Sequence, residues 1–198
     1  MKTIRFLPVL MTVFMAVSCA PIMMKLNHVT KPKVETEEQI SSFLAKVNSD
    51  YIEHLFLCRD SIAYTTLLQK LHAFPEAVFF NEKGEIVRYS EDPCPTIAQN
   101  FILNIKPDQQ LQVDSSYRFG FLQEKLRPHG NRQLRDPGNY RFTMVVFWAT
   151  WAGKVNNNVF DIVEKLKNRP DLKVQVVFIN MDFLDQWGMK KLPRFKNE

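Results

Sequence analysis

Glycine, histidine and cysteine are all scarce in this chain, and each shortage excludes a class of function. Only six glycines are scattered over 198 residues, so no glycine-rich loop is available to cradle a phosphate with backbone amides. His54, His72 and His129 keep no metal-ligand spacing with one another or with the cysteines, so no metal is expected, and no motif asks for a cofactor. Charge of one sign is also modest. The formal balance is +5, of which Lys2 and Arg5 at the extreme N-terminus supply two, leaving about +3 for the rest. No basic stripe interleaved with aromatics accompanies it, so nucleic acid is not an expected partner. What the chain does have is core material: 45% of residues are apolar and sixteen are Phe, enough for one globular domain.

The first eighteen residues read as a signal peptide. Lys2 and Arg5 give a positive end, and Phe6 to Val17 is apolar except for Pro8 and Thr12. That run is too short to cross a bilayer as a helix, which favours export. It ends Ala16-Val17-Ser18-Cys19, which resembles the lipobox of bacterial lipoproteins, with Ala16 where leucine is more usual. The resemblance implies lipidation of Cys19 and attachment to a bacterial membrane through that lipid anchor. The expected location is the cell envelope, on the periplasmic side or the outer membrane. Plain signal-peptidase cleavage near Cys19 is the other reading. Residues 19–34, with Pro21 and Pro32, read as a tether. Cys58 and Cys94 are then the remaining thiols, and in an oxidising compartment they can form one disulfide.

From Thr36 the chain becomes regular. Thr36 followed by Glu37, Glu38 and Gln39 is a capping-box opening, and Ile40, Phe43, Leu44 and Val47 carry the helical face. Tyr51–Cys58 is strand-like, and Ser61–His72 is helical. Phe74–Phe80 and Glu85–Tyr89 are strands joined by Asn81-Glu82-Lys83-Gly84, a hairpin in which Gly84 takes the positive φ. A further helix opens at Pro93-Cys94-Pro95. Residues 106–139 read as a long connection with one amphipathic piece, Tyr117–Leu126. Its cations, Arg118, Lys125, Arg127, Arg132, Arg135 and neighbouring Arg141, suggest either a surface for anionic lipid or polysaccharide, or a solvated linker. Tyr140–Ala149 is a strand. Val155, Val159, Ile162, Val163 and Leu166 recur at offsets 0, 4, 7, 8 and 11, one face of a helix that Pro170 ends. Leu172–Met181 is a second buried strand, expected to pair in parallel with the first.

The stretch Phe147-Trp148-Ala149-Thr150-Trp151-Ala152-Gly153-Lys154-Val155 resembles the FWATWCGPC active-site stretch of thioredoxin-like proteins, particularly the membrane-tethered thiol–disulfide reductases of the bacterial envelope. The two cysteine positions fall at Ala152 and Val155. Phe74-Pro75-Glu76-Ala77-Val78 resembles the same family's proline-led hairpin, with the cis-proline position at Pro75, and the helix from Pro95 is similar to its last helix. The halves thus stand in reversed order. The resemblance implies an α/β fold, a thioredoxin-like three-layer α/β/α sandwich that is circularly permuted. Residues 35–105 and 140–198 would form one domain, with two stacked half-domains as the other arrangement.

That family's chemistry needs a thiolate at a helix N-terminus and a second thiol to resolve the mixed disulfide. Ala152 and Val155 supply neither, so dithiol oxidoreductase activity is not expected. The leading expectation is a non-catalytic envelope lipoprotein that binds a protein or peptide in a groove formed by Trp151, Ala152, Gly153, Lys154 and Pro75. The alternative is a single-cysteine redox or thiol-exchange protein using Cys94, which sits at a predicted helix start.

Overall fold

The computed structural model describes residues 24–90, 94–106, 108–131 and 133–188. The expected signal peptide, Cys19, Pro93, Arg132 and the basic C-terminal tail lie outside the described residues.

Seven strands form one mixed sheet: β2 (Leu55–Cys58), β3 (Glu76–Asn81), β4 (Glu85–Val87), β5 (Val113–Arg118), β6 (Leu126–Pro128), β7 (Phe142–Trp148) and β8 (Val174–Asn180). Their order across it is β5-β4-β3-β7-β8-β2-β6. A short β1 (Val34–Glu35) pairs in parallel with β9 (Phe183–Leu184). The central strand β7 is buried at every position, as its unbroken run Phe-Thr-Met-Val-Val-Phe-Trp requires of a strand covered on both faces. It runs parallel to β8 and antiparallel to β3, whose Glu76 sits opposite Phe147.

Helices cover both faces. On one, α1 (Glu37–Val47), α3 (Pro95–Asn104) and α5 (Asn157–Leu166) bury Ile40, Leu44, Ala98, Ile102, Val159 and Ile162 against β3, β7 and β8. On the other, α2 (Ser61–Leu68) and α4 (Phe119–Lys125) bury Tyr64, Leu67, Phe119 and Leu122. The molecule is therefore α/β with a core on each side of the sheet.

Local chemistry accounts for most boundaries. The Thr36 side chain accepts the Gln39 amide at 3.2 Å, and the Gln39 side chain returns the bond to the Thr36 amide at 2.8 Å, the reciprocal capping box expected of that sequence. At the hairpin, Asn81 Oδ1 accepts from the Lys83 and Glu85 amides, and Gly84 has φ 70°. The carbonyls ending α3 are held from outside the helix: Arg169 donates to those of Ile102 at 2.7 Å, Leu103 at 3.0 Å and Ile105 at 2.7 Å. A cation at the negative end of a helix dipole, satisfying otherwise unpaired acceptors, fixes α3 beside α5.

Four expectations change. Tyr51–His54 is not strand; Ser49–His54 is a 3-10 turn whose opening amide, that of Asp50, is accepted by the Asn48 side chain. Helix α2 ends at Leu68, short of His72. Residues 106–139 do more than connect: β5 extends the sheet beyond β4, α4 crosses over the second face, and β6 closes the opposite edge beside β2. Both added strands are edges, and Pro128 in β6 is tolerated there because an edge strand leaves one side of its backbone unpaired. Finally, Cys58 and Cys94 are not bridged. Both are free thiols, with Cys58 buried in β2 on the α2–α4 face and Cys94 at the N-cap of α3 on the other.

Candidate functional site

Beyond β7 the chain leaves the sheet through Ala149 into Thr150–Asn156, two short helical turns that meet at a kink at Gly153. Asn156 is fully buried and folds back on the strand end, donating to the Ala149 carbonyl at 2.8 Å and accepting the Ala149 amide at 3.4 Å. This side-chain pair mimics a backbone turn and sets where the loop begins. The hairpin on the neighbouring strand brings Phe74 and Pro75, joined by a cis peptide bond, alongside. The Phe74 and Trp151 rings stack with centroids 4.9 Å apart. The Phe74–Trp151 stack places Pro75 next to the loop that carries Ala152, Gly153 and Lys154.

The expected groove is not open, however. The stretch 24–34, anticipated as a tether, lies on it: the Thr30 amide donates to the Trp151 carbonyl at 2.9 Å and the Lys154 amide to the Asn27 carbonyl at 2.8 Å. Gly153 has φ 55° and ψ −133°, and a Cβ there would stand 2.4 Å from the carbonyl oxygens of both Asn27 and His28. Glycine is required twice over, for the backbone conformation and for the approach of another chain segment. Pro75 and Ala152 are buried, Trp151 and Gly153 half-buried, and Lys154 exposed. The covering segment continues into β1 and is held there by β9.

Beneath that cover lies a polar network that the sequence did not announce. Glu35 is 2% exposed and Asp182 1%. Thr150 Oγ1 lies 2.9 Å from Glu35 Oε1 and 2.9 Å from Asp182 Oδ1. Asp182 Oδ2 accepts the Thr150 amide at 2.8 Å and the Asn180 side-chain amide at 2.7 Å. Burial, chiefly, pushes the Asp182 carboxyl up to about 6 against the pull of those donors, and the charge of Glu35 adds to the rise. Glu35 fell in no recognisable motif, and Asp182 showed only as an acid after a buried strand.

A second concavity, about 510 Å³, lies where β3 and β4 diverge beyond the pair Phe80↔Ile86. It contains Glu76, 5% exposed, whose carboxylate accepts the His72 amide at 3.0 Å and whose affinity for a proton is raised chiefly by burial. Across it Arg88 pairs with Asp114 at 2.9 Å, and the Tyr89 hydroxyl donates to the Ala77 carbonyl at 3.2 Å. These groups serve one another. A lone glutamate inside an apolar strand run was the available signal.

Cys94 is half-buried and Cys58 fully buried, the latter's thiol pushed up to about 12 by loss of solvent. Among the described cations of the 106–141 stretch, Arg127 pairs with Glu37 at 2.5 Å, Arg118 with Glu85 at 3.7 Å, and Arg135 with the Tyr140 hydroxyl at 3.0 Å. Arg118 in β5 and Arg127 in β6 stand at opposite edges of the sheet, which argues against a single anion-binding face. Among the described residues no group of acids, histidines and cysteines is placed to hold a metal ion, and no helix is long and apolar enough to cross a membrane. No protein-family model matches the chain, and neither curated proteins nor solved structures yield a significant match.

Proposed function

We propose that this chain is a circularly permuted, thioredoxin-like binding module without dithiol chemistry, which takes an extended polypeptide beside the Trp151–Lys154 loop. One observation carries the reading: a segment of the chain, residues 27–35, already lies there, a turn at Asn27–His28 that leads on to β1, and it is held largely through its backbone. A surface that accepts one chain segment through main-chain hydrogen bonds is chemically suited to another, since such bonds ask little of side-chain identity. The permuted fold is supported by the order of the parts. The proline-led hairpin β3–β4 and helix α3 precede the unit β7–α5–β8, yet β3 lies beside β7 and Phe74 stacks on Trp151. Residues 152 and 155 carry no sulfur, so the loop has no nucleophile with which to open a disulfide. The lipid anchor at Cys19 and residence in the bacterial envelope belong to the same proposal and rest on the leader sequence.

The alternative is a single-cysteine redox or thiol-exchange protein using Cys94, which is half-buried at the N-cap of α3. Cys58 is buried on the opposite face of the sheet, so an external thiol would have to resolve any mixed disulfide formed there.

A displayed library of random linear peptides, selected on the full chain, tests the binding reading. The expected result is enrichment of sequences whose binding is weakened at least tenfold in Trp151→Ala, with photocrosslinks mapping to residues 150–156. Absence of enrichment, or binding indifferent to a folded Trp151→Ala variant, overturns it.

A further inference from the structure

The Glu35–Thr150–Asp182 contact contains a count that does not close with both acids ionised. A hydroxyl has one hydrogen, and an ionised carboxylate only accepts. Thr150 Oγ1 nevertheless sits 2.9 Å from an oxygen of each. Both contacts are satisfied together when one carboxyl carries a proton; with neither protonated, one hydrogen is shared between two anions. Asp182 Oδ2 already receives two N–H donors, and Lys33 places its ammonium 3.1 Å from Glu35 Oε1. The proton accordingly resides on Asp182 Oδ1 and is donated to Thr150, whose own hydrogen goes to the ionised Glu35. Every donor then has an acceptor. The other titratable groups facing the contact are Glu38 and Lys46 of α1, which line a cavity of about 470 Å³ with Glu35 and Thr150, and Tyr64 of α2 on the Asp182 side. Lys33 is the cation in contact, and it serves Glu35.

The two acids belong to different parts of the molecule. Glu35 is in the segment that covers the loop; Asp182 follows the core strand β8. We propose that their shared proton is a latch: the N-terminal segment closes over the Trp151–Lys154 groove while the Glu35–Thr150–Asp182 chain holds its proton, and is released when that proton is lost. This regulates the groove proposed above and takes its purpose from that reading. Loss of the proton leaves two buried anions sharing one hydroxyl, and moving Glu35 away is the available relief.

The direction follows from linkage. In the closed state burial, chiefly, raises Asp182 from 3.8 to about 6; the share of that burial which the segment supplies is lost when it leaves, and the carboxyl moves back toward its ordinary range. Closure is fully favoured below about pH 4, weakens by up to about tenfold per pH unit as pH rises, and has lost at most about 100-fold above about pH 6.

Hydrogen exchange of the full chain, followed by mass spectrometry from pH 4 to 8 and corrected for intrinsic rates, reads this directly. Opening of peptides covering residues 24–35 and 150–156 is expected to rise up to ~100-fold between pH 4 and 6 and then level off, while β7 and β8 peptides keep their protection. Asp182→Asn keeps every hydrogen bond, its amide donating to Thr150, but has no proton to lose; it should stay closed at all pH values. Glu35→Gln removes the smaller, charge contribution and should lessen the slope without abolishing it. A flat wild-type profile, or a wild-type slope in Asp182→Asn, overturns the latch. Failure of peptide selection with a titrating segment would sink the binding function alone; peptide binding with flat exchange would sink the latch alone.

Discussion

Substituting Gly153 with Ala tests the central contact of this structure, because the consequence is calculable from distances. The added Cβ would stand 2.4 Å from the Asn27 and His28 carbonyl oxygens, where ordinary contact begins at 3.4 Å. The atoms it meets are backbone, so no side chain can swing aside. Restoring contact distance moves residues 27–28 by about 1 Å, which stretches the 2.8 Å bond from the Lys154 amide to Asn27 beyond hydrogen-bonding range. The companion bond from Thr30 to Trp151 goes with it. At about 1 kcal/mol net for each bond, release of the segment becomes easier by roughly 2 kcal/mol, or about 30-fold. The φ of 55° adds strain of about 1–3 kcal/mol at the loop itself, whether the segment stays or leaves. Hydrogen exchange of residues 24–35 should therefore accelerate about 30-fold, and the urea midpoint should fall modestly because the core on both faces of the sheet is untouched. Exchange within threefold of wild type, with an unchanged midpoint, would refute the close approach and with it the reading of Gly153 as a docking point.

Other perturbations probe separate parts of the molecule. Arg169→Met removes the guanidinium from three α3 carbonyls while keeping the aliphatic stem; a loss of about 2 kcal/mol in urea unfolding is expected, and a change under 0.5 kcal/mol would show that water replaces it freely. Glu37, joined to Arg127 and His129 of the β6 edge, is held below its ordinary carboxylate range chiefly by the Arg127 hydrogen bond. Its contribution is present above about pH 4.5 and is lost as pH falls through the lowered value. Because the pair is partly solvated, Glu37→Gln should cost only about 0.5–1 kcal/mol at pH 7, and less as pH falls through the lowered value, as followed by urea titrations at neutral and acidic pH. Iodoacetamide on the native chain should label Cys94 and spare Cys58, which is 1% exposed with its thiol at about 12; peptide mapping that found Cys58 modified without denaturant would show that β2 opens readily.

The sequence by itself determined the elements whose side chains all answer to one environment. The 3.6-residue spacing of Val159, Ile162, Val163 and Leu166 became α5, the apolar run before Trp151 became the central strand β7, and Asn81 with Gly84 became a hairpin turn, because in each case local propensity and burial agree. The edge strands β5 and β6 were hidden for the opposite reason. Val113-Asp114-Ser115-Ser116-Tyr117-Arg118 faces solvent along much of its length and carries no alternation, so its pairing with β4 is decided by the neighbour it meets. The candidate site divides along the same line. Trp151, Gly153 and Pro75 were legible as a cluster through the resemblance of their surroundings, and the structure brings them together. What only the tertiary structure decided is that residues 24–35 lie on that cluster, that Gly153 is required by a carbonyl more than a hundred residues away in sequence, and that Glu35 and Asp182 share a hydroxyl. Carboxyl groups acquire such a relation from burial and distance, and neither is a property of the chain until it folds.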